Sequence, residues 1–350
     1  SALALHDRGV TDISILESPV RYPPASWAGG GILSPLFPWL YSDALNALCA
    51  PSVDLYRSLV SRMHLHAGLD ASCLHLSGMW TEIAAEDSQV AERWLSCWDP
   101  ESAVVSRAIA GEVRSGAWQP TLGSIRNPRF LKALRKLLVG CGVEFISAEA
   151  SHWTTLDGGG IRLATSFGEL STDTLILAAG QGLSHFFPAA DNFFPAKGEM
   201  LLYRLGAEAP PCIILTKEGY AIPRANGDTL VGSTHRPGDA SAYPTVAGKY
   251  ELVAKAQALL PQTRHRQPDF HWAGVRPGSS LKQPVIGALP GAPGVFVSGG
   301  HYRNGLVAAP ASAELLAQII VGEEGFIDPS AYSLSSVSMS SRSSSSFLSR

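Results

Sequence analysis

Residues 271–310 read HWAGVRPGSSLKQPVIGALPGAPGVFVSGGHYRNGLVAAP, and two arginines in this stretch carry the first chemical signal. Arg276 follows a short apolar segment and precedes Pro277-Gly278, while Arg303 stands between a strand-like run, Val295-Phe296-Val297, and a helix-like run over 306–320. A guanidinium held beside an apolar run is a planar, permanently charged donor fork, which is the shape that receives a carboxylate. Between the strand and the helix, Gly299-Gly300-His301-Tyr302-Arg303-Asn304-Gly305 has the composition of a loop that brings backbone N–H groups close to an anion. Taken singly, each arginine is better read as solvated surface charge. The company they keep decides.

Outward from there, the chain opens with a short Ala/Leu-rich helix, a glycine suited to its C-cap at Gly9, and a β-branched run over 10–16 that ends at Glu17. In a dinucleotide-binding unit such an acid hydrogen-bonds the adenosine ribose, about 20 residues after the G-x-G-x-x-G fingerprint. Counting back puts the last glycine at or before Ser1, so the first strand and the phosphate-cradling loop are expected to be missing; taken alone, the segment equally suits an unrelated α/β domain. Ser26-Trp27-Ala28-Gly29-Gly30-Gly31 follows, where three glycines let a backbone lie flat against a planar ligand or simply form a flexible loop. The spacing predicts a helix over 43–63 broken at Pro51 and a helix over 129–139 capped by Asn127-Pro128. It also predicts a strand at 143–147, a hairpin at 157–160, and a buried strand at 174–178 ending in Ala179-Gly180. From 194 to 286 the texture is β, with an Asn226-Gly227 turn and one helix over 246–260.

The segments AGVRPG, PVIGALP and VSGGHYRNGLVAAPASAELLAQII resemble the C-terminal signature of the FAD-dependent amine oxidases of the D-amino acid oxidase superfamily, and within it the glycine oxidases linked to thiamine synthesis. SWAGGGILSPLFPW at 26–39, SIRNPRFLKAL at 124–134, LILAAG at 175–180, FPAKGEM at 194–200 and GYAIPRANGDTLVGST at 219–234 match in the same order. The resemblance spans about residues 1–330. It implies a mixed α/β fold: an N-terminally truncated, Rossmann-like FAD-binding domain formed by 1–70, 121–190 and 271–330, interleaved with an antiparallel-sheet substrate domain formed by 71–120 and 191–270. A Ser-rich tail over 331–350 lies outside it and reads as disordered, because it carries too little apolar surface to offset ordering entropy.

The resemblance also implies the chemistry: oxidative deamination of glycine or another small amino acid or amine, giving an imino acid, then glyoxylate and ammonia, with O2 reduced to hydrogen peroxide. Arg276, Arg303 and Tyr220 are the implied substrate contacts; His235 lies just past the hairpin partner of the strand begun by Tyr220, at a position that varies in the family. Non-covalent FAD contacts fall on Glu17, Ser26, Trp27, Ala28, Gly29, Gly30, Gly31, Ala179, Gly180 and the loop His301, Tyr302, Arg303, Asn304, Gly305, Leu306, Val307. No side chain is required as general base, since hydride passes to the flavin from the neutral amine. Two other readings stay open: a dehydrogenase or tRNA-modifying oxidase domain of the same fold, and an inactive, flavin-free fragment.

Composition narrows the alternatives. With 350 residues, 45% hydrophobic, and 27 basic against 30 acidic side chains, the chain suits a globular enzyme and has no basic stripe for nucleic acid. Five scattered cysteines without a C-x-x-C pair read as buried free thiols in a reducing compartment, so the cytoplasm is the expected location. No uninterrupted apolar run approaches the ~20 residues that cross a bilayer, and no metal-ligand spacing accompanies the ten histidines. Oxidases of the resembling kind often form homo-oligomers.

Overall fold

Strands between 79 and 279 build a nine-stranded sheet, whose central members Met79–Glu82 and Ile213–Thr216 are buried almost throughout. Its order runs Ala103–Ile109, Glu112–Gln119, Met79–Glu82, Ile213–Thr216, Gly219–Pro223, Asp228–Gly232, Phe193–Arg204 and Arg236–Pro237, with Phe270–Ser279 also paired to Phe193–Arg204. Only the contact between Ile213–Thr216 and Met79–Glu82 is parallel. The turn at Asn226-Gly227 is where it was expected, and Gly227 takes the positive φ (80°) that a side chain resists. One helix, Val246–Leu259, closes the sheet: Leu252, Ala256 and Leu259 pack on Leu201, Tyr203, Ala221 and Val231. Burying each such leucine contributes roughly 1.5–3 kcal/mol. The hairpin formed by Ala103–Ile109 and Glu112–Gln119 gave no recognisable signal in the sequence.

The computed structural model describes residues 1–19, 24–99, 101–109, 111–186 and 192–334. Within these, the other half of the fold holds four smaller sheets, two of which contain a parallel pair. Ser14–Glu17 runs parallel to Glu144–Ser147, and Leu175–Leu177 runs parallel to Val295–Gly299, which pairs with Val285–Ala288. The expected hairpin around 157–160 is larger, a three-stranded meander of Ala150–Thr155, Ile161–Thr165 and Gly168–Thr172. The helix pair Asp43–Cys49 and Ser52–Ala67 breaks at Pro51 as expected.

The helix Gly305–Val321 is the spine of this half. Pro310 lies inside it and denies a donor to the carbonyl of Leu306, four residues back. Tyr56 Oη donates to that oxygen at 2.8 Å, so the break in the ladder becomes an anchor to Ser52–Ala67. The stretch 302–321 is long and apolar enough to cross a bilayer by length and composition, although Arg303, Asn304 and Glu314 interrupt the run. In the fold its Val307, Ala308, Ala311, Leu315 and Leu316 are buried with Leu45, Leu48 and Ile286, as a core helix.

Phe270–Ser279 pairs along ten residues with Phe193–Arg204, so this strand lies in the nine-stranded sheet. Of the tail expected from 331, residues 331–334 are described: Pro329–Tyr332 is a 3-10 turn, and Tyr332 is 1% exposed with its hydroxyl donating to Ala44 O at 2.6 Å. Residues 335–350 lie outside the described residues. Finally, Cys97 is exposed, so the cysteines are free but not all buried.

Candidate active site

Arg276 comes from the strand Phe270–Ser279, opposite Ala196. Its guanidinium lies over Gly198, where a Cβ would stand 2.2 Å from Nη1, and it donates to Ser233 Oγ at 2.8 Å. Absence of a side chain at 198 is what admits the guanidinium. Arg303 is exposed at the turn Tyr302–Asn304, its guanidinium carbon 5.5 Å from the centre of the Tyr302 ring. Among the described residues neither arginine has a carboxylate partner, whereas Arg8, Arg62, Arg114, Arg135, Arg236 and Arg266 each do. Two unneutralised guanidiniums make a site for an anion.

His235 lies in the field of both. Its Nε2 is hydrogen-bonded to Tyr302 Oη, and Phe194 meets the Tyr302 ring edge-on at 5.7 Å. Burial and then the charges of Arg303 and Arg276 push the imidazole down to about 4, so it is neutral at ordinary pH. Tyr220 reaches the same neighbourhood from the other side. It pairs with Gly232, one residue before Ser233, and its ring fills the space a Cβ at Gly232 would need, 2.6 Å away. Its hydroxyl makes only a 3.9 Å contact with Met200 Sδ, so it has capacity for a better acceptor.

The glycine turn packs against Tyr220: a Cβ at Gly30 would stand 3.4 Å from Tyr220 Cε2 and 2.7 Å from Ile222 Cδ1. Here the structure corrects the role of Asn127, which does not cap its helix. Its Nδ2 instead donates to the carbonyls of Ser26 (2.8 Å) and Gly29 (3.0 Å). Trp272 Nε1 donates to Ala28 O at 2.9 Å, Arg224 Nη2 to Gly30 O at 2.9 Å, and Ile125 N to Gly31 O at 2.8 Å. Protein thus consumes the acceptors of the turn, while the N–H groups of Gly30 and Gly31 have no partner among the described residues. A side-chain-free turn with free donors and Trp27 37% exposed beside it fits a planar, acceptor-rich ring system. Asn127 and Arg224 were missed as site residues because each signals only a helix start or a surface charge in the sequence. Arg224 is buried, bonded also to Ser124 Oγ (2.8 Å) and Ile125 O (3.0 Å), and burial lowers its pKa to about 10.

The remaining candidates border the two small sheets that contain a parallel pair. Glu17 ends its strand and is paired with Arg135 of the helix Asn127–Gly140, both half-exposed. Ala179 and Gly180 follow Leu175–Leu177, with Gly180 at φ 57°. In the 301–307 loop, His301 Nε2 is bonded to Ser312 Oγ at 2.9 Å, and burial pushes its pKa down to about 4. Leu306 is tied down by Tyr56, and Asn304 and Val307 are buried. No group of three or more potential metal ligands occurs among the described residues.

A family model described as FAD dependent oxidoreductase matches residues 1–319. The chain belongs to that FAD-dependent oxidoreductase family. It is 38% identical over 338 residues to the glycine oxidase of Pseudomonas aeruginosa, covering 91% of each chain. With the glycine oxidase of Pseudomonas putida it shares 34% identity over 327 residues, 88% of this chain and 87% of that one. The crystal structure of glycine oxidase from Geobacillus kaustophilus superposes with a TM-score of 0.84 at 23% identity, covering 95% of this chain and 94% of the other. That likeness bears on the fold, and it is the fold of an FAD-dependent oxidoreductase.

Proposed function

We propose that this chain is an oxidase of small amino acids that holds FAD non-covalently and takes glycine as its preferred substrate, converting it through an imino acid to glyoxylate and ammonia with release of hydrogen peroxide. The observation that supports this most directly is the pair Arg276 and Arg303, neither with an acidic partner among the described residues, beside the neutral His235–Tyr302 pair. A monocarboxylate supplies the missing negative charge. Similarity to two glycine oxidases over some nine-tenths of their length supports the same reading.

FAD, when bound, supplies the two-electron oxidation. Residues suited to hold it are the Ser26–Gly31 turn through its free N–H groups, Gly180, the 301–307 loop, and Glu17 toward the ribose. The loop contains no cysteine for a thioether link. The chain's own task is positional. Arg303 and Arg276 receive the carboxylate through paired hydrogen bonds, and Tyr220 Oη adds a third donor from the glycine-turn side. With the carboxylate held at three points, the α-carbon is presented in one orientation. The buried apolar wall of Met200, Ile222 and Leu230 excludes water from that side.

The test is an absorption spectrum of the FAD-loaded chain under anaerobic conditions. Glycine is expected to bleach the flavin bands, and admission of O2 to restore them with one peroxide per cycle. A loaded chain whose bands persist under glycine, sarcosine and small D-amino acids overturns the reading.

A further inference from the structure

A free amino acid arrives as a zwitterion, yet oxidation of its Cα–H bond proceeds from a neutral amine. Somewhere the ammonium proton must go. Within the electrostatic reach of both arginines stands the hydrogen-bonded pair His235–Tyr302, joining residues 67 positions apart.

We propose that Tyr302 and, behind it, His235 accept the ammonium proton of the bound amino acid: the proton passes to Tyr302 Oη as the Tyr302 hydroxyl proton passes to His235 Nε2. This leaves a neutral amine, a neutral phenol and an imidazolium, with charge and protons conserved. The inference rests on the carboxylate reading of Arg276 and Arg303 and extends it.

The charges around His235 explain why the transfer waits for the substrate. From its own segment Arg236 faces it, and from Phe270–Ser279 Arg276; the loop contributes Arg303 and the helix Val246–Leu259 contributes Lys255. Two of these cations, Arg236 and Lys255, share the single carboxylate of Glu251, which offsets one of their two charges. On the neighbouring strand Phe193–Arg204, Lys197 and Glu199 pair with each other at 3.4 Å. Arg276 and Arg303 have no carboxylate partner among the described residues, and a substrate carboxylate bound between them would offset one of their two charges. An empty site therefore keeps His235 unprotonated, and an occupied one raises its proton affinity. Tyr302 is held for the role by its position: φ of 49° in the loop, Phe194 against one edge and the Arg303 guanidinium near its face.

Acetate, which carries the carboxylate but no amine, is the probe. Its affinity for the FAD-loaded protein, read from perturbation of the flavin spectrum, is expected to fall about tenfold or more as pH rises from roughly 5.5 to 8, because binding draws a proton onto His235. His235→Gln still binds acetate but with an affinity independent of pH, and Tyr302→Phe weakens the dependence. In parallel, anaerobic flavin reduction by glycine should be nearly flat with pH in the wild type. In His235→Gln it should climb by about tenfold per pH unit, tracking the small fraction of glycine already deprotonated in solution. Acetate binding that is pH-independent in the wild type, or equally pH-dependent in His235→Gln, overturns the proposal while leaving the carboxylate reading intact. If acetate binds Arg276→Ala and Arg303→Ala as tightly as wild type, or fails to bind the wild type, the carboxylate reading itself falls and the proposal with it.

Discussion

Substituting Gly198 by alanine tests the proposed substrate site without replacing any residue proposed to contact substrate. A Cβ at 198 would lie 2.2, 2.3 and 2.5 Å from Nη1, Nη2 and Cζ of Arg276, far inside van der Waals contact. The guanidinium is the far end of a flexible side chain, so it moves and the strand stays. Alanine is tolerated in a strand about as well as glycine and restricts the unfolded chain more, so stability should change by less than about 1 kcal/mol. Displacement breaks the 2.8 Å bond to Ser233 Oγ that aims Arg276, and with it one charge-assisted contact to the carboxylate. Such a contact is worth about 1.5–3 kcal/mol, which predicts acetate binding weaker by roughly 10- to 150-fold. Acetate titration of the flavin spectrum, with a thermal melt and flavin content as controls, measures this. Wild-type acetate affinity in a normally folded Gly198→Ala would refute the placement of Arg276 in the site. A colourless or unfolded variant would show that the backbone, not the arginine, absorbs the clash.

Four other outcomes follow from the same geometry. Arg303→Ala should keep its flavin and melting temperature, since Arg303 makes no hydrogen bond or ion pair among the described residues, while glycine turnover falls by at least about 100-fold; steady-state peroxide assays decide it. Arg224→Ala strands three acceptors, Ser124 Oγ, Ile125 O and Gly30 O, at a cost of about 3 kcal/mol; a lower melting temperature with flavin released early is expected, and an unchanged melt contradicts it. Tyr220→Phe loses only a 3.9 Å contact to Met200 Sδ, so stability should hold within about 0.5 kcal/mol while the glycine KM rises; an unmoved KM removes Tyr220 from the site. Finally, His235 and His301 both sit near 4, below their ordinary value of 6.5, chiefly through burial. The unfolded chain then binds more protons than the folded one between those values, so the stabilisation is complete above pH 6.5 and is lost as pH falls toward 4. Melting curves of the ligand-free protein across that window should show the decline, and His301→Gln should flatten part of it.

The sequence by itself determined many of the elements and their order, because these depend on neighbours a few residues away, though not the hairpin of Ala103–Ile109 and Glu112–Gln119. Pro51 splits a helix wherever it sits, and Asn226-Gly227 turns a hairpin whatever lies beyond it. Family membership was legible for the same reason, carried by short motifs in a fixed succession, and so were Arg276, Arg303 and the glycine turn as candidates. Tertiary structure alone decided which side chains meet. Asn127 reads locally as a helix cap, but the helix places it beside a turn 98 residues earlier in the chain, where the bare carbonyl of Gly29 is the better acceptor. Arg224 reads as a charged strand end, yet the sheet buries it against Gly30, 194 positions away, and backbone oxygens replace its water. The separation of the Ser14–Glu17 pair from the Leu175–Leu177 sheet and the pairing of His235 with Tyr302 likewise depend on strand register and on where the helix Gly305–Val321 docks. Local periodicity carries no information on either, because register is set by burial summed over whole faces of the fold.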